Sequence, residues 1–385
     1  MQTTPIIEAV PNRARLTSAW KTQLIKFLIA MLLFPLTLLL KLETSQHPEW
    51  VETVYSRHIY PALTQCVNLL FRWVPFSVAE FAAYALVVGI VAYLFYQLAR
   101  LVLHRQRVLR AISVVTNLAL LGSVGYFLFI GLWGLNYNRE PLATSLGYTV
   151  EPRSVSELKK LCTQLAVQAN EQRAGLQQNL HGYVTYPEGK HAALQKVPLA
   201  YRALAEKSNL FEARYGAPKA VMLSRMLSYT EIEGVYIAFT AEANLNTDMP
   251  DALFLSAACH EVAHQYGFAR EDEANFIAYL ACQASDDPEL MYSGTLLALI
   301  HSMNALYGYD ADAYGEIADT YDKGVKRDIN YQTLYWRQFE GPVAETSTKV
   351  NNAYLMSNNQ TDGVNSYGRM VELLLAQMSH DGAGK

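Results

Sequence analysis

Two histidines four residues apart, with a glutamate directly after the first, are the residues of this sequence best suited to chemistry. They are His260, Glu261 and His264, in the stretch ACHEVAHQYG. On a helix, residues at i and i+4 project from one face about one turn apart, so both imidazoles can reach one Zn²⁺ at ~2.0–2.1 Å. Glu261 would then take a proton from a water on the metal and later give one to a leaving amine. The alternative is an ordinary helix whose two histidines pair with neighbouring carboxylates.

A catalytic zinc also needs a third protein ligand, and three acids follow the motif closely. Gly267 can adopt a positive φ and turn the chain sharply after His264. The segment carrying Glu271, Asp272 and Glu273 would then double back toward the histidines. A solvated acidic helix start is the other interpretation of this triplet, because carboxylates favour helix N-termini.

The motif and its acids resemble the zincin metallopeptidases that use a glutamate ligand, often in an E-x-x-A-[D/N] pattern at the start of a helix. The stretch EDEAN fits this pattern as Glu271, Ala274 and Asn275. The resemblance implies Glu271 as the third zinc ligand, with Glu273 as the alternative, and Asn275 as the partner that holds a ligand histidine. The sequence departs from the pattern in two ways. The third ligand follows the second histidine within seven residues, and Arg270 stands where the metzincin turn carries its third histidine.

The whole chain resembles an uncharacterised bacterial membrane-protein family with three N-terminal spans followed by an HExxH domain. The resembling stretches are WGLNYNREPL, GVYIAFTAEANLN, the motif region and NNQTDGVNSYGRMVELLLA. In the last stretch, Tyr367 or Arg369 would stabilise an oxyanion, or the two residues begin an exposed helix. In zincins an edge strand beside the motif helix binds the substrate backbone. The candidate here runs from Gly234 to Asn246, and a core strand is the alternative.

Three long apolar stretches indicate an integral membrane protein. A span needs roughly 17–25 apolar residues, and we predict transmembrane helices at about residues 24–41, 79–99 and 111–134. A cleaved signal peptide is the rival interpretation of the first stretch. The segment before it is long and no A-x-A site follows, so an uncleaved anchor is preferred.

Lysine and arginine set the expected orientation of these spans. Basic residues precede the first span and cluster between the second and third: Arg13, Arg15, Lys21 and Lys26, then Arg100, Arg105, Arg107 and Arg110. By the positive-inside rule, the N-terminus and the 100–110 loop lie in the cytoplasm, and the chain after Trp133 lies outside. The loop at 42–77 is then outside too. Its stretch YPALTQCVNLLFRWVPF would lie along the membrane interface or form a short helix packed on the spans.

Composition excludes some other classes of protein. Of the 385 residues, 51% are hydrophobic and 17% are charged, and the net charge is -4, which gives no sign of a nucleic-acid partner. The four cysteines form no CxxC pair, so they indicate neither a disulfide scaffold nor a cysteine zinc site. We expect a membrane domain at 1–135 and an extracytoplasmic, zincin-like α+β domain at 136–385, mainly helical with a small sheet.

Local signals place the elements of the large domain. Ser154 followed by Glu157 predicts a capping box and a helix to about Ala174. A motif helix is predicted from near Asp251 to Gly267. Further helices are predicted at about 198–216, 271–284, 289–307, 312–329 and 367–378, with a strand at 234–246.

These expectations favour a zinc metallopeptidase in the bacterial cytoplasmic membrane. Its partners would be the bilayer and a peptide or protein substrate at the cell envelope, cleaved outside the cytoplasm. The alternative is a zincin-like sensor or assembly factor that does not cleave peptides. Intramembrane proteolysis is disfavoured, because the motif lies far from every span in a polar context.

Overall fold

The computed structural model describes residues 13–103, 106–358, 360 and 369–383. Its helices are, in chain order, α1 (Arg13–Ser45), α2 (Pro48–Trp50), α3 (Tyr60–Phe71), α4 (Val78–Leu103), α5 (Arg107–Leu132), α6 (Leu142–Leu146), α7 (Val155–Ala174), α8 (Lys190–Leu194), α9 (Val197–Lys207), α10 (Ser224–Ser228), α11 (Asp251–Gln265), α12 (Glu271–Ala284), α13 (Pro288–Tyr309), α14 (Ala311–Asp319), α15 (Lys323–Arg337), α16 (Pro342–Ser357) and α17 (Met370–Ala383). The strands are β1 (Lys219–Ala220), β2 (Gly234–Ile237) and β3 (Glu242–Leu245). A π-helix spans Val51–Ile59, and 3₁₀ helices span Gly134–Asn138 and Asn209–Phe211. The fold is mainly helical with a small sheet, as predicted.

The chain divides into two compact units. The first comprises Met1–Gln46 and Ala82–Gly131, and the second comprises His47–Phe81 and Leu132–Lys385. The sequence placed residues 1–135 in one membrane domain, whereas the structure groups 47–81 with the large unit. The reason is polar packing. The Asn68 amide donates to the Ala241 carbonyl at 2.9 Å, and the Glu242 carboxylate accepts the backbone N–H of Ala79 at 2.8 Å.

Three helices are long and apolar enough to cross a membrane: Thr17–Ser45, Val78–Leu103 and Arg107–Leu132. Their most apolar windows have mean hydropathies of 2.2, 2.1 and 1.8 and are only 11–17% buried. Large side chains such as Leu32 and Phe95 are therefore mostly exposed, at 72% and 68%. Such continuous apolar exposure is typical of a surface that meets lipid, which supports membrane anchoring by the three predicted stretches.

Several helices of the large unit begin and end where the sequence predicts. The capping box of α7 is present, with the Ser154 hydroxyl accepting from the Glu157 N–H at 3.2 Å and the Glu157 carboxylate accepting from the Ser154 N–H at 2.9 Å. The motif helix α11 ends before Gly267, whose φ is +84°. The next helix, α12, begins at Glu271 as predicted.

Three other predictions need correction. The stretch 234–246 is not one strand but an antiparallel hairpin of β2 and β3, with Ala241 in the turn at a φ of +50°. The helix predicted at 198–216 ends at Lys207, because Ser208 is extended and caps a 3₁₀ turn with its side chain. The helix predicted at 312–329 is interrupted after Asp319 and restarts as α15.

The sheet and the core hold the motif helix. The strand order is β1-β3-β2, with β1 parallel and β2 antiparallel to β3, so β2 lies at an edge. Every residue of α11 after Asp251 is buried. A helix buried on all faces must be packed on all sides, and α11 packs against the sheet and against α12 and α13.

Candidate metal centre

Three side chains that can bind a metal converge at the end of α11. The Nε2 atoms of His260 and His264 lie 3.1 Å and 3.4 Å from the same carboxylate oxygen, Oε2 of Glu271. The three donor atoms all lie within 4.8 Å of one another. Among the described residues, this is the one group of three or more His, Cys, Asp or Glu side chains so arranged.

A tight turn brings Glu271 back to the histidines. The N–H of Gly267 donates to the His264 carbonyl at 2.9 Å, and the N–H of Phe268 donates to the Ala263 carbonyl at 3.1 Å. A β-carbon at Gly267 would lie 2.8 Å from the Tyr60 ring, and the positive φ disfavours any other residue. Glycine at this position therefore lets α12 start close beside the end of α11.

Both imidazoles are oriented through their second nitrogen. The Nδ1 atom of His260 lies 2.7 Å from Oδ1 of Asn275, and Nδ1 of His264 lies 2.7 Å from the carbonyl oxygen of Phe268. An oxygen acceptor at Nδ1 keeps the proton there and leaves the Nε2 lone pair for a cation. Asn275, which the family resemblance implied as a histidine partner, lies at hydrogen-bond distance from His260.

The charges of the cluster shift the pKa values of His264 and Glu271 in opposite directions. Burial disfavours the imidazolium form, but the Glu271 carboxylate outweighs it and raises the pKa of His264 to about 9. Burial likewise disfavours the carboxylate, yet His264 and His260 hold the pKa of Glu271 well below its usual range. The Glu271 carboxylate thus favours positive charge on the His264 ring.

Glu261 lies beside this cluster and against β2. A β-carbon at Gly234 would lie 2.6 Å from Cγ and 2.9 Å from Oε1 of Glu261, so only glycine leaves room for this side chain. The backbone N–H of Tyr236 favours the charged form of this carboxylate. Its Oε2 atom is buried and has no hydrogen-bond partner among the described residues. Burial raises the pKa of Glu261 above its usual value.

The alternative ligand, Glu273, points elsewhere. Its Oε1 atom accepts the backbone N–H of Leu142 at 2.7 Å and an Nη1 hydrogen of Arg270 at 2.9 Å. Glu273 therefore holds the start of α6 against the start of α12. The two glutamates lie two residues apart on α12 and project in different directions, so the structure brings only Glu271 to the histidines.

Tyr367 and Arg369 are the two residues that the sequence suggested for contacts to an oxyanion. Tyr367 lies outside the described residues. Arg369 lies near α12, where its Nε atom is 3.6 Å from Oδ2 of Asp272. Burial, with the nearby Glu273, raises the pKa of Asp272 to about 6. The structure therefore associates Arg369 with the acidic start of α12.

The sequence did not predict that the segment after the third apolar helix contacts the end of the motif helix. The indole N–H of Trp133 donates to the His264 carbonyl at 3.2 Å, and Nη1 of Arg139 donates to the Gly267 carbonyl at 3.0 Å. The Arg139 guanidinium also forms a buried ion pair with Glu52, at 2.7 Å. The signal was the stretch WGLNYNREPL, which carries both Trp133 and Arg139 and was noted only for its family resemblance.

Two further titratable residues near the cluster were also missed. Glu233 directly precedes β2, and burial raises its pKa to about 7. His301 lies on α13, where burial and the nearby His260 lower its pKa to about 4. The position of Glu233 beside the predicted strand could have drawn attention to it. His301 carries no local signal, because its place near the cluster depends on how α13 packs.

The fold and the cluster define a mainly helical protein with three apolar helices and a buried histidine–glutamate site. The chain belongs to the family described as "Protein of unknown function (DUF3810)", whose model matches residues 55–375. The match includes α3, the two later apolar helices and all the residues of the cluster. No curated protein and no solved structure matches the chain.

Proposed function

We propose that this chain is an integral-membrane zinc metallopeptidase that hydrolyses peptide bonds outside the bacterial cytoplasm. The observation that carries the proposal is the convergence of His260, His264 and Glu271 beside a buried, unpartnered oxygen of Glu261. Two imidazole nitrogens and one carboxylate oxygen are a donor set of catalytic zinc sites. Zinc held by three protein ligands would still be able to bind a water or a substrate.

The residues fit a divalent cation in their chemistry. Both Nδ1 atoms are engaged, so each ring offers Nε2 to the centre of the cluster. The Glu271 carboxylate faces both Nε2 atoms and favours positive charge there, as the raised pKa of His264 indicates. A cation would take the place of the proton that Glu271 otherwise favours on His264.

Glu261 is the residue that moves protons in this proposal. Zn²⁺ bound to the cluster would supply Lewis acidity, which brings the pKa of water to about 7. The raised pKa of Glu261 makes its carboxylate a stronger proton acceptor. Its unpartnered Oε2 accepts the proton of the attacking water, and Glu261 then delivers that proton to the nitrogen of the leaving amine.

The position of β2 supports a peptide substrate. Among the residues that the structure describes, this strand pairs with β3 on one side only, and the backbone N–H of its Tyr236 favours the charged form of the Glu261 carboxylate. The unpaired edge of β2 therefore runs beside the proposed general base. An extended peptide that adds to such an edge forms backbone hydrogen bonds that do not depend on its sequence, and its carbonyl would be held near the cluster.

The extracytoplasmic placement rests on charge. The segment before the first span and the loop between the second and third spans carry the clustered lysines and arginines. The positive-inside rule then places the large unit outside. A reporter enzyme that works only outside the cytoplasm, fused after Lys385, should be active. A reporter that is active only in the cytoplasm would reverse this placement.

Hydrolysis is tested directly with the full-length protein in detergent. Wild-type protein and a Glu261→Gln variant are incubated with a mixture of peptides, and products are identified by mass spectrometry. We expect wild-type cleavage that a chelator abolishes and zinc restores, and none by Glu261→Gln. Equal cleavage by both proteins would contradict the proposal. Tight zinc binding without cleavage of any peptide would favour a sensor or assembly factor.

A further inference from the structure

A cavity lies behind the motif helix, on the side away from the metal centre. Its volume is about 380 Å³, within the range of small-molecule sites, ~300–1,000 Å³. Val262 of α11 lines it. This residue lies ~200° around the helix from both His260 and His264, because each residue advances about 100°. The cavity is therefore separate from the cluster, although one helix contributes to both.

The walls of the cavity are positively charged. Arg72, Arg202 and Arg214 line it, and none of the described residues that line it is an aspartate or a glutamate. Within the described part of the chain, none of the three guanidinium groups forms an ion pair with an acid. Like charges brought together without a counterion repel, so this arrangement favours an anion in the cavity.

Two polar groups of the lining residues lack a hydrogen-bond partner. The Nε atom of Arg72 and the hydroxyl of Tyr215 are both buried, and neither has a partner in the described part of the chain. The neighbouring tyrosine hydroxyls are already used, since Tyr201 donates to the Cys259 carbonyl at 2.6 Å and Tyr266 to the Ala213 carbonyl at 2.7 Å. Buried polar groups are rarely left unpaired in folded proteins. The free donors of Arg72 and Tyr215 therefore indicate a ligand that accepts hydrogen bonds.

Local packing fixes the position of Arg72. Its guanidinium stacks on the Trp73 ring, with Cζ 4.5 Å from the ring centroid. A β-carbon at Gly216 would lie 2.8 Å from Cβ of Arg72, so glycine permits the close approach of the two chain segments. The N–H of Gly216 donates to the Asn68 amide oxygen at 3.1 Å. Arg72 is thus held at the cavity by neighbours on both sides.

We propose that this cavity binds a phosphate group, either of an anionic phospholipid or of free phosphate. Three guanidiniums and a tyrosine hydroxyl offer more donors than the two oxygens of a carboxylate can accept, whereas a phosphate presents three or four oxygens. Guanidinium groups bind phosphate with paired, charge-assisted hydrogen bonds. The site therefore matches a tetrahedral oxyanion.

The surroundings of Arg72 suit a lipid as the source of that phosphate. Leu70, Trp73 and Phe76 are exposed at 72%, 76% and 46%. They immediately precede the apolar helix that begins at Val78. Exposed tryptophan and other large apolar residues next to a span are typical of the membrane interface. An anionic headgroup at that interface would lie within reach of Arg72.

The test measures thermal unfolding of the full-length protein in nanodiscs. Discs of phosphatidylcholine are titrated with inorganic phosphate at constant ionic strength, and separate discs contain increasing phosphatidylglycerol. A ligand that binds only the folded protein raises the unfolding midpoint. A rise with phosphatidylglycerol alone identifies a lipid, and a rise with inorganic phosphate identifies free phosphate. Either result supports the site, whereas a rise in neither series overturns it.

Variants show whether the cavity causes the effect. The double change Arg72→Gln and Arg214→Gln should weaken the apparent affinity on the order of tenfold or more. Tyr215→Phe keeps the shape of the ring and should weaken the apparent affinity by a smaller factor. This variant provides a test if the double variant does not fold. Arg337→Gln, at an exposed position outside the cavity, should bind as wild type. An unchanged affinity in Tyr215→Phe and in the double variant would overturn the proposal.

Discussion

The Nδ1 atom of His260 lies 2.7 Å from the Oδ1 atom of Asn275, so one hydrogen bond joins the motif helix to the next helix directly beside the cluster. The bond has two effects. It keeps the proton of His260 on Nδ1, and it fixes the distance between the helix that carries the histidines and the helix that carries Glu271. A change at Asn275 should therefore act on metal binding without removing a ligand.

We predict that Asn275→Ala weakens zinc binding or activity by about 10–100-fold, as is usual when the partner of a ligand histidine is lost. Asn275→Asp keeps an oxygen acceptor and should restore most of the affinity. The affinity is measured by competition with a chelator of known strength. An affinity in Asn275→Ala equal to that of wild type would show that His260 needs no such partner.

The two glutamates of α12 give a matched pair of variants. Glu271→Gln should lose most of the zinc, because the charged ligand is gone. Glu273→Gln should keep the zinc but lower the free energy of unfolding by about 1–3 kcal/mol, since Leu142 and Arg270 lose a charged acceptor. Zinc content and denaturant unfolding are measured on both proteins. Loss of zinc in Glu273→Gln, with Glu271→Gln unaffected, would exchange the roles assigned to them.

Gly234→Ala tests the placement of the proposed general base. The added β-carbon would come within 2.6 Å of Cγ of Glu261 and push this side chain or β2 aside. We expect zinc to remain while peptide hydrolysis falls on the order of 100-fold, because small misplacements of a reacting group are costly. Gly315→Ala is the control, since its β-carbon would meet nothing within 4 Å. Full activity in Gly234→Ala would remove Glu261 from the proposed role.

The ion pair between Arg139 and Glu52 should stabilise the fold that holds the motif. Arg139→Gln leaves the buried Glu52 carboxylate without its main partner and should cost about 3–5 kcal/mol at neutral pH. Arg57→Gln is the control. Its side chain is 33% exposed and also contacts Glu52, at 3.0 Å, so it should cost at most about 1 kcal/mol. Equal losses in both variants would show that burial of the pair is unimportant.

The ion pair between Arg139 and Glu52 also predicts that the free energy of unfolding depends on pH. Burial opposes ionisation of Glu52, but the hydrogen bond and charge of Arg139 outweigh it and hold the pKa of Glu52 below its usual value. A lowered pKa in the folded state stabilises the protein above the unfolded pKa, about 4.3, and this contribution is lost as the pH falls further. The difference in unfolding free energy between wild type and Arg139→Gln should therefore narrow between pH 7 and pH 3. Unfolding measured across this range checks the effect, and a constant difference would contradict it.

Local signals in the sequence predicted the elements closest to the site. The capping pair Ser154 and Glu157, the acid that begins α11 and the glycine that follows it each act within a few residues, so the sequence alone defines them. The hairpin of β2 and β3 was missed because its turn, Ala238–Ala241, contains no glycine, proline or asparagine. Nothing in that run distinguishes two short strands from one long strand.

Contacts distant in sequence could not be predicted in the same way. Arg139 is 87 residues from Glu52 and 128 from Gly267, yet it joins both. The choice between Glu271 and Glu273 also depended on tertiary structure, because the Leu142 N–H that engages Glu273 comes from a different part of the chain. The three arginines of the cavity come from the residue after α3, from α9 and from the loop before β1, and no local pattern connects these segments.

The zinc content of four full-length proteins tests the central claim most directly: wild type, His260→Ala, His264→Ala and Glu261→Gln. Each is purified, dialysed against metal-free buffer with a trace of zinc, and analysed by elemental mass spectrometry. The account predicts about one zinc per chain in wild type and in Glu261→Gln, and little in the two histidine variants, because two remaining ligands bind zinc poorly. Full zinc in the histidine variants, or zinc lost equally from all three variants, would contradict it.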